Sequence, residues 1–164
     1  MTAPMIAVLD SDRSFLSLMH DLLAEEGYRT LRWQASEQAR AHALLKRVQP
    51  HLVILDLWLA ERDDGWTFLK RLWGDVDTTH IPAIIVTGEP NLLPVQPDVL
   101  RAMHCQLVRK PFDLQDLLDA IAKVLGPSPV QWDRGARAHA AMVVGSSMTD
   151  MPQYALGAID GDGM

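Results

Sequence analysis

The chain has 164 residues, 48% of them hydrophobic, and a formal net charge of −6. That length and apolar content suit one domain with a proper core, and the acidic balance offers no basic surface for a phosphate backbone, which excludes direct nucleic-acid binding. The single cysteine, Cys105, cannot form an internal disulfide, the opening MTAPMIAVLDSD meets acids too early for a secretory leader, and no apolar run approaches the roughly 20 residues of a membrane span, so a cytoplasmic protein with no membrane partner is expected.

MIAVLD, residues 5–10, reads as a strand. Phe15, Leu18, Met19, Leu22 and Leu23 then share one helical face, and Gly27 follows where a left-handed cap ends a helix. YRTLRW, 28–33, reads as a second strand, and SEQARAHALLKRVQ, 36–49, as a second helix with Ser36 as N-cap and Pro50 just beyond its end. HLVILDL, 51–57, is the third strand, GWTFLKRLW, 65–73, lies in a helix, and the β-branched core of IPAIIVTG, 81–88, predicts a fourth strand. A shorter helix is expected near 97–104. CQLVRK, 105–110, is the fifth strand, and Asp113 caps a last helix whose apolar stripe is Leu114, Leu117, Leu118, Ile121, Val124 and Leu125.

Short apolar strands alternating with amphipathic helices predict an α/β fold, a doubly wound parallel sheet of five strands with helices on both faces. Chemistry in such sheets collects outside the carboxyl ends of the strands. Asp10 ends the first strand, Asp56 the third, Thr87 the fourth and Lys110 the fifth, so four polar side chains should converge on one edge. Two neighbouring carboxylates repel and need either a cation between them or a shared proton. Oxygen ligands without a His or Cys cluster favour a hard ion such as Mg²⁺. Lys110 and the Thr87 hydroxyl can then serve phosphoryl oxygens, with Asp56 placed as the nucleophile for an acyl phosphate.

In order and spacing these residues resemble the receiver domains of two-component response regulators, over about residues 4–126: Asp10, the lone Asp56 with Asp64-Gly65 soon after, Thr87-Gly88, and Lys110-Pro111-Phe112. The resemblance implies a flavodoxin-like sheet of order 2-1-3-4-5, with Asp56 as phosphoacceptor served by a histidine kinase or phosphotransfer protein. It implies Mg²⁺ held by Asp10, Asp56 and the backbone carbonyl of Trp58, with Ser11 or Asp12 as a further ligand. It implies a switch of Thr87, Leu107, Lys110 and Pro111, with the bond before Pro111 cis, relaying to the face of the fourth helix, fifth strand and last helix. A downstream protein target or a second copy of the chain would read that face. Enzymatic activity is limited by this reading to Mg²⁺-dependent self-phosphorylation and slow autodephosphorylation at Asp56. The domain division is then a receiver over 1–126 and a Pro/Gly/Ala-rich extension over 127–164, with a short helix around 134–144.

Departures from the family pattern define the alternative. Receivers usually end the first strand with two adjacent acids; here Asp10 is followed by Ser11, with Asp12 one place later. The loop LWLAERDDG, 57–65, is one residue longer than usual and carries Ala60 where proline is common; Leu107 stands where an aromatic residue is frequent; Trp58 and Glu89 occupy positions that tune hydrolysis of the phosphoryl group. A degenerate receiver acting as a phosphorylation-independent interaction module is the alternative function. A small flavodoxin-like enzyme or cofactor-binding protein is a third reading, opposed by DSDRSF standing where a Gly-rich phosphate loop would follow the first strand. His20, His42, His51, His80, His104 and His139 show no metal-ligand spacing, Cys105 reads as a small buried hydrophobe, and Trp33, Trp66 and Trp73 as packing residues.

Overall fold

The computed structural model describes residues 2–57, 64–88 and 95–148. In chain order the elements are β1 (Met5–Asp10), α1 (Arg13–Glu25), β2 (Arg29–Gln34), α2 (Gln38–Val48), β3 (Leu52–Asp56), α3 (Asp64–Gly74), β4 (Ala83–Thr87), α4 (Pro97–Ala102), β5 (Cys105–Arg109), α5 (Leu114–Leu125) and α6 (Pro129–Met148), with a 3-10 turn at Ala35–Glu37 before α2. The five strands form one parallel sheet of order β2-β1-β3-β4-β5.

Strand alternation divides the core into two layers. Ala7, Leu9, Val53, Leu55, Ala83 and Ile85 pack on one face with Leu45 of α2 and Phe68, Leu69 and Leu72 of α3. Ile6, Val8, Leu52, Ile54, Ile84 and Val86 pack on the other with Leu16, Met19 and Leu23 of α1 and Leu117 and Ile121 of α5. Because both faces are covered, the central strands are apolar throughout and the first polar residue in each marks its exit. Register then matters: Leu9 pairs with Leu55 and Leu55 with Ile85, so Asp10 and Asp56 leave neighbouring strands at the same level.

Several local expectations shift. Leu18 is exposed and Leu16 takes its place in the core, because α1 begins at Arg13 and Leu16, Met19 and Leu23 form its buried line. Ser36 lies inside the 3-10 turn and does not cap α2; the Glu37 carboxylate instead accepts the Gln34 N–H at 3.1 Å. At the other end of α2, Gln49 adopts the left-handed conformation (φ 53°) and its side-chain amide donates to the carbonyls of Lys46 and Asp77. Asp113 caps α5 as expected, with the Asp116 carboxylate accepting the Asp113 N–H, whereas Leu114 is exposed and Ala120 joins the core. Gly27 has the left-handed φ of +85° expected of it. Trp33 is buried and Trp66 meets Trp73 edge-on, ring centroids 5.7 Å apart. Cys105 is buried, which pushes its thiol up to about 11.

The chain divides into two compact units, Met1–Val130 and Gln131–Met164. In the first, Ser128 Oγ donates to the Glu26 carboxylate at 2.5 Å, and Pro129 lies where a side chain on Gly27 would come within 2.9 Å. In the second, Trp132 is exposed and Arg137 pairs with Asp133 one turn away. The α6 helix is longer at both ends than the one expected around 134–144. Among the described residues no helix is long and apolar enough to cross a membrane.

Candidate functional site

Four strand exits and two helix starts are fixed locally by hydrogen bonds to backbone groups. The Asp10 carboxylate accepts the Asp12 N–H at 2.8 Å through Oδ1, and Asp12 in turn caps α1, accepting the N–H groups of Ser14 at 2.8 Å and Phe15 at 3.3 Å. The Lys110 N–H donates to the Thr87 carbonyl at 2.8 Å, locking the exits of β4 and β5 together just before the cis Lys110–Pro111 bond. The Gly65 N–H donates to the Leu57 carbonyl at 3.1 Å, and a Cβ on Gly65 would lie 2.2 Å from the Asp56 carbonyl oxygen. Only glycine lets the start of α3 pass this close to the end of β3.

The charged groups meet within this frame. Lys110 Nζ lies 2.6 Å from Asp56 Oδ2 and 3.6 Å from Asp10 Oδ2. The ammonium also stands over the Phe15 ring, 5.1 Å from its centroid, and Phe15 packs edge-on against Phe112. Asp10, Asp56 and Thr87 are buried, with relative exposures of 1%, 7% and 0%. Burial raises the Asp10 carboxyl above its ordinary range; its hydrogen bond from Asp12 and the Lys110 charge oppose the rise, and Asp56 adds to it. Burial works against the charge on Lys110 as well, but the hydrogen bond to Asp56 and the negative charges of Asp10 and Asp56 outweigh it and leave the ammonium harder to deprotonate than usual.

The sequence-predicted residues divide into three groups. Asp10, Asp56 and Lys110 are in mutual reach, and Thr87 is buried at the neighbouring exit. Ser11 is exposed, the Asp12 side chain is engaged as a helix cap, and Leu107 is exposed on the edge strand β5. Trp58, Ala60 and Glu89 lie outside the described residues. Phe15, under the Lys110 ammonium, and Phe112, edge-on against Phe15, read in the sequence only as core and motif positions; their shared signal is that each follows an acid or lysine of the site by a few residues. Arg13, whose guanidinium donates to Gln34 at 3.2 Å, carried no signal.

Among the described residues no three His, Cys, Asp or Glu side chains gather as a metal site. Two carboxylates do, and the buried Asp10 Oδ2 accepts no hydrogen bond among the described residues, with the Lys110 ammonium standing 3.6 Å away. An oxygen-only pair with one unsatisfied oxygen fits a hard cation that keeps most of its own water.

A family-wide profile for the response regulator receiver domain matches residues 6–122. The chain is 30% identical over 125 residues to the DNA-binding dual master transcriptional regulator RpaA of Synechocystis, a match covering 74% of this chain and 49% of that one, so it spans about half of that regulator's length. It is 28% identical over 127 residues to the polar-differentiation response regulator DivK of Brucella ovis, covering 77% of this chain and 98% of that one. Among solved structures, the chemotaxis response regulator CheY4 of Vibrio cholerae superposes with a TM-score of 0.62 at 21% identity, over 76% of this chain and 100% of that one. The receiver domain of the sensor histidine kinase PA1611 of Pseudomonas aeruginosa, solved with magnesium coordinated in its active-site cleft, gives 0.60 at 18% identity, over 76% and 98%. These two likenesses establish the shared fold.

Proposed function

The chain belongs to the response regulator receiver family of two-component systems, and from that premise we propose that it is a phosphoacceptor signalling protein with Asp56 as the acceptor. The observation that supports this most is the Asp56 carboxylate itself, buried at a strand exit beside Asp10 and held at 2.6 Å by Lys110. In the proposed step an Asp56 carboxylate oxygen attacks the phosphorus of a phosphohistidine on a histidine kinase or phosphotransfer protein. The new P–O bond forms as the P–N bond breaks, and the imidazole leaves. Lys110 offsets charge on the transferred phosphoryl oxygens, and the Thr87 hydroxyl is the donor that responds to their arrival. Asp10, Asp56 and the Trp58 carbonyl would hold Mg²⁺, with Ser11 or Asp12 as a further ligand; when bound, that ion supplies charge neutralisation at the phosphoryl group.

Residues 1–126 carry this activity in the proposal, and 127–164 are an extension without an effector motif. Output then passes through a downstream protein, or a second copy of the chain, at the face of α4, β5 and α5, where Leu107 and Pro111 complete the switch. The setting is cytoplasmic. The test is intact mass after treatment with a small-molecule phosphodonor, with and without Mg²⁺. One added phosphoryl group that depends on Mg²⁺ and vanishes in Asp56→Ala supports the reading; no addition to the folded protein overturns it.

One observation favours a second reading. Asp12, the nearest substitute for the acid missing at Ser11, spends its carboxylate on the first turn of α1. Ion binding then rests on two carboxylates, and a receiver that no longer takes the phosphoryl group would act as an interaction module. Mg²⁺ titration followed by Trp fluorescence separates the two, since only the first requires saturable binding that Asp10→Asn abolishes.

A further inference from the structure

The amino edge of the sheet, remote from the strand exits, carries a cleft of about 470 Å³ between the lead-in to β4, the end of α4, the start of β5 and the end of α5. Four basic side chains line it, His80 before β4, Arg101 and His104 at and just after the end of α4, and Lys123 near the end of α5, over a floor that includes Pro82 and Val124. Among the described residues no carboxylate lines it, although the chain as a whole has a net charge of −6. Arg101 and Lys123 stand in the last turns of α4 and α5, where a helix end attracts a cation, and this alone would account for them. It does not account for the two histidines. His104 is held at a φ of +55°, in the left-handed region that a glycine after a helix occupies without cost. A side chain thus stands at a position where glycine would be less strained, and it lines the cleft with the other three.

We propose that this cleft binds a small phosphate-bearing anion. A phosphate offers several acceptor oxygens around one centre, which suits donors converging from three stretches of chain, and the Gln106 amide adds a further donor. The volume falls in the range of small-molecule sites, and the apolar floor leaves room for an organic body beyond the phosphate. Arg101 is also paired with Asp98, but both side chains are largely exposed, so the pair is weak and can be exchanged for a better acceptor. The site is separate from Asp56 and stands whether or not Asp56 is phosphorylated.

Inorganic pyrophosphate is the probe, titrated into the full chain by calorimetry and by amide NMR. Saturable, salt-sensitive binding is expected, with shifts centred on residues 80, 101–106 and 123 and retained in Asp56→Asn. Arg101→Ala and Lys123→Ala should each weaken it about tenfold, the usual effect of removing a charged donor. His104→Gly is the discriminating variant: it should weaken pyrophosphate while keeping or raising the melting temperature, because glycine relieves the left-handed backbone. Absence of saturable binding at millimolar pyrophosphate, shifts centred on Asp56 and Lys110, or unchanged affinity in all three variants would overturn the proposal. So would tight binding of an acidic peptide that pyrophosphate fails to displace.

Discussion

Asp10 and Asp75 are both carboxylates within reach of a lysine, yet the protein moves them in opposite directions. Asp10 faces Lys110 at 3.6 Å from inside the carboxyl edge, and burial raises it. Asp75 faces Lys46 at 2.8 Å on the flank of α2, and the hydrogen bond from Lys46, followed by that from the Asp77 N–H, lowers it. The difference teaches that solvent, more than the partner's charge, decides which way such a group goes. The consequences for stability also have opposite signs. An acid lowered in the folded state adds stability that is present above its unfolded value near 3.9 and fades as pH falls through the lower folded value. An acid raised in the folded state subtracts stability once pH climbs from its unfolded value through the higher folded one. Ionised Asp10 is therefore a liability to the fold, tolerated at the edge where chemistry is proposed.

The most severe way to break this contrast is to pry the buried edge open. Gly65→Ala places a methyl 2.2 Å from the Asp56 carbonyl oxygen, so the backbone must move; a loss of about 3 kcal/mol is expected in urea unfolding, together with a weaker pH response from Asp10 as water enters. Lys110→Ala takes the ammonium away from two buried carboxylates, and about 2 kcal/mol should be lost, less than for a sealed pair because the lysine side chain is 33% exposed. Repeating it in Asp10→Asn should recover part of that loss, since fewer like charges then remain. Asp10→Asn alone should stabilise the protein by on the order of 1 kcal/mol at neutral pH, the cost of the unsatisfied buried oxygen, and the gain should shrink as the pH is lowered toward 4. A loss instead of a gain would show that Lys110 outweighs burial. On the surface side, Lys46→Ala should give the smallest effect, a slight destabilisation at neutral pH that disappears with acid and with added salt.

Sequence patterning located the sheet edge well because the signal is strong there. A parallel strand covered on both faces tolerates no polar residue until it exits, so Asp10, Asp56 and Thr87 announce their positions. Helix faces were less legible. A shift of a residue or two in where α1 starts exchanges Leu18 for Leu16, and local hydrogen bonding at Gln34 and Glu37 overrides the capping preference of Ser36. The use of Asp12 as a cap was legible only as one of several options, since Asp10, Ser11 and Asp12 are all capping residue types. The basic cleft was not legible at all: residues 80, 101, 104 and 123 form no motif, and only the parallel fold brings their three stretches of chain to one amino edge.

The ties among Glu26, Gly27, Ser128 and Pro129 have a practical meaning for anyone trimming this chain. Stopping after residue 126, where the matched family region has already ended, removes the serine that answers Glu26 and the proline that roofs Gly27 at the end of α1. A shortened protein ending at 126 should melt earlier than one ending at 130, with the change in amide exchange concentrated at the α1 to β2 turn. The smallest fragment that keeps its shape is thus set by the neighbour of the first helix and not by the last turn of the fifth.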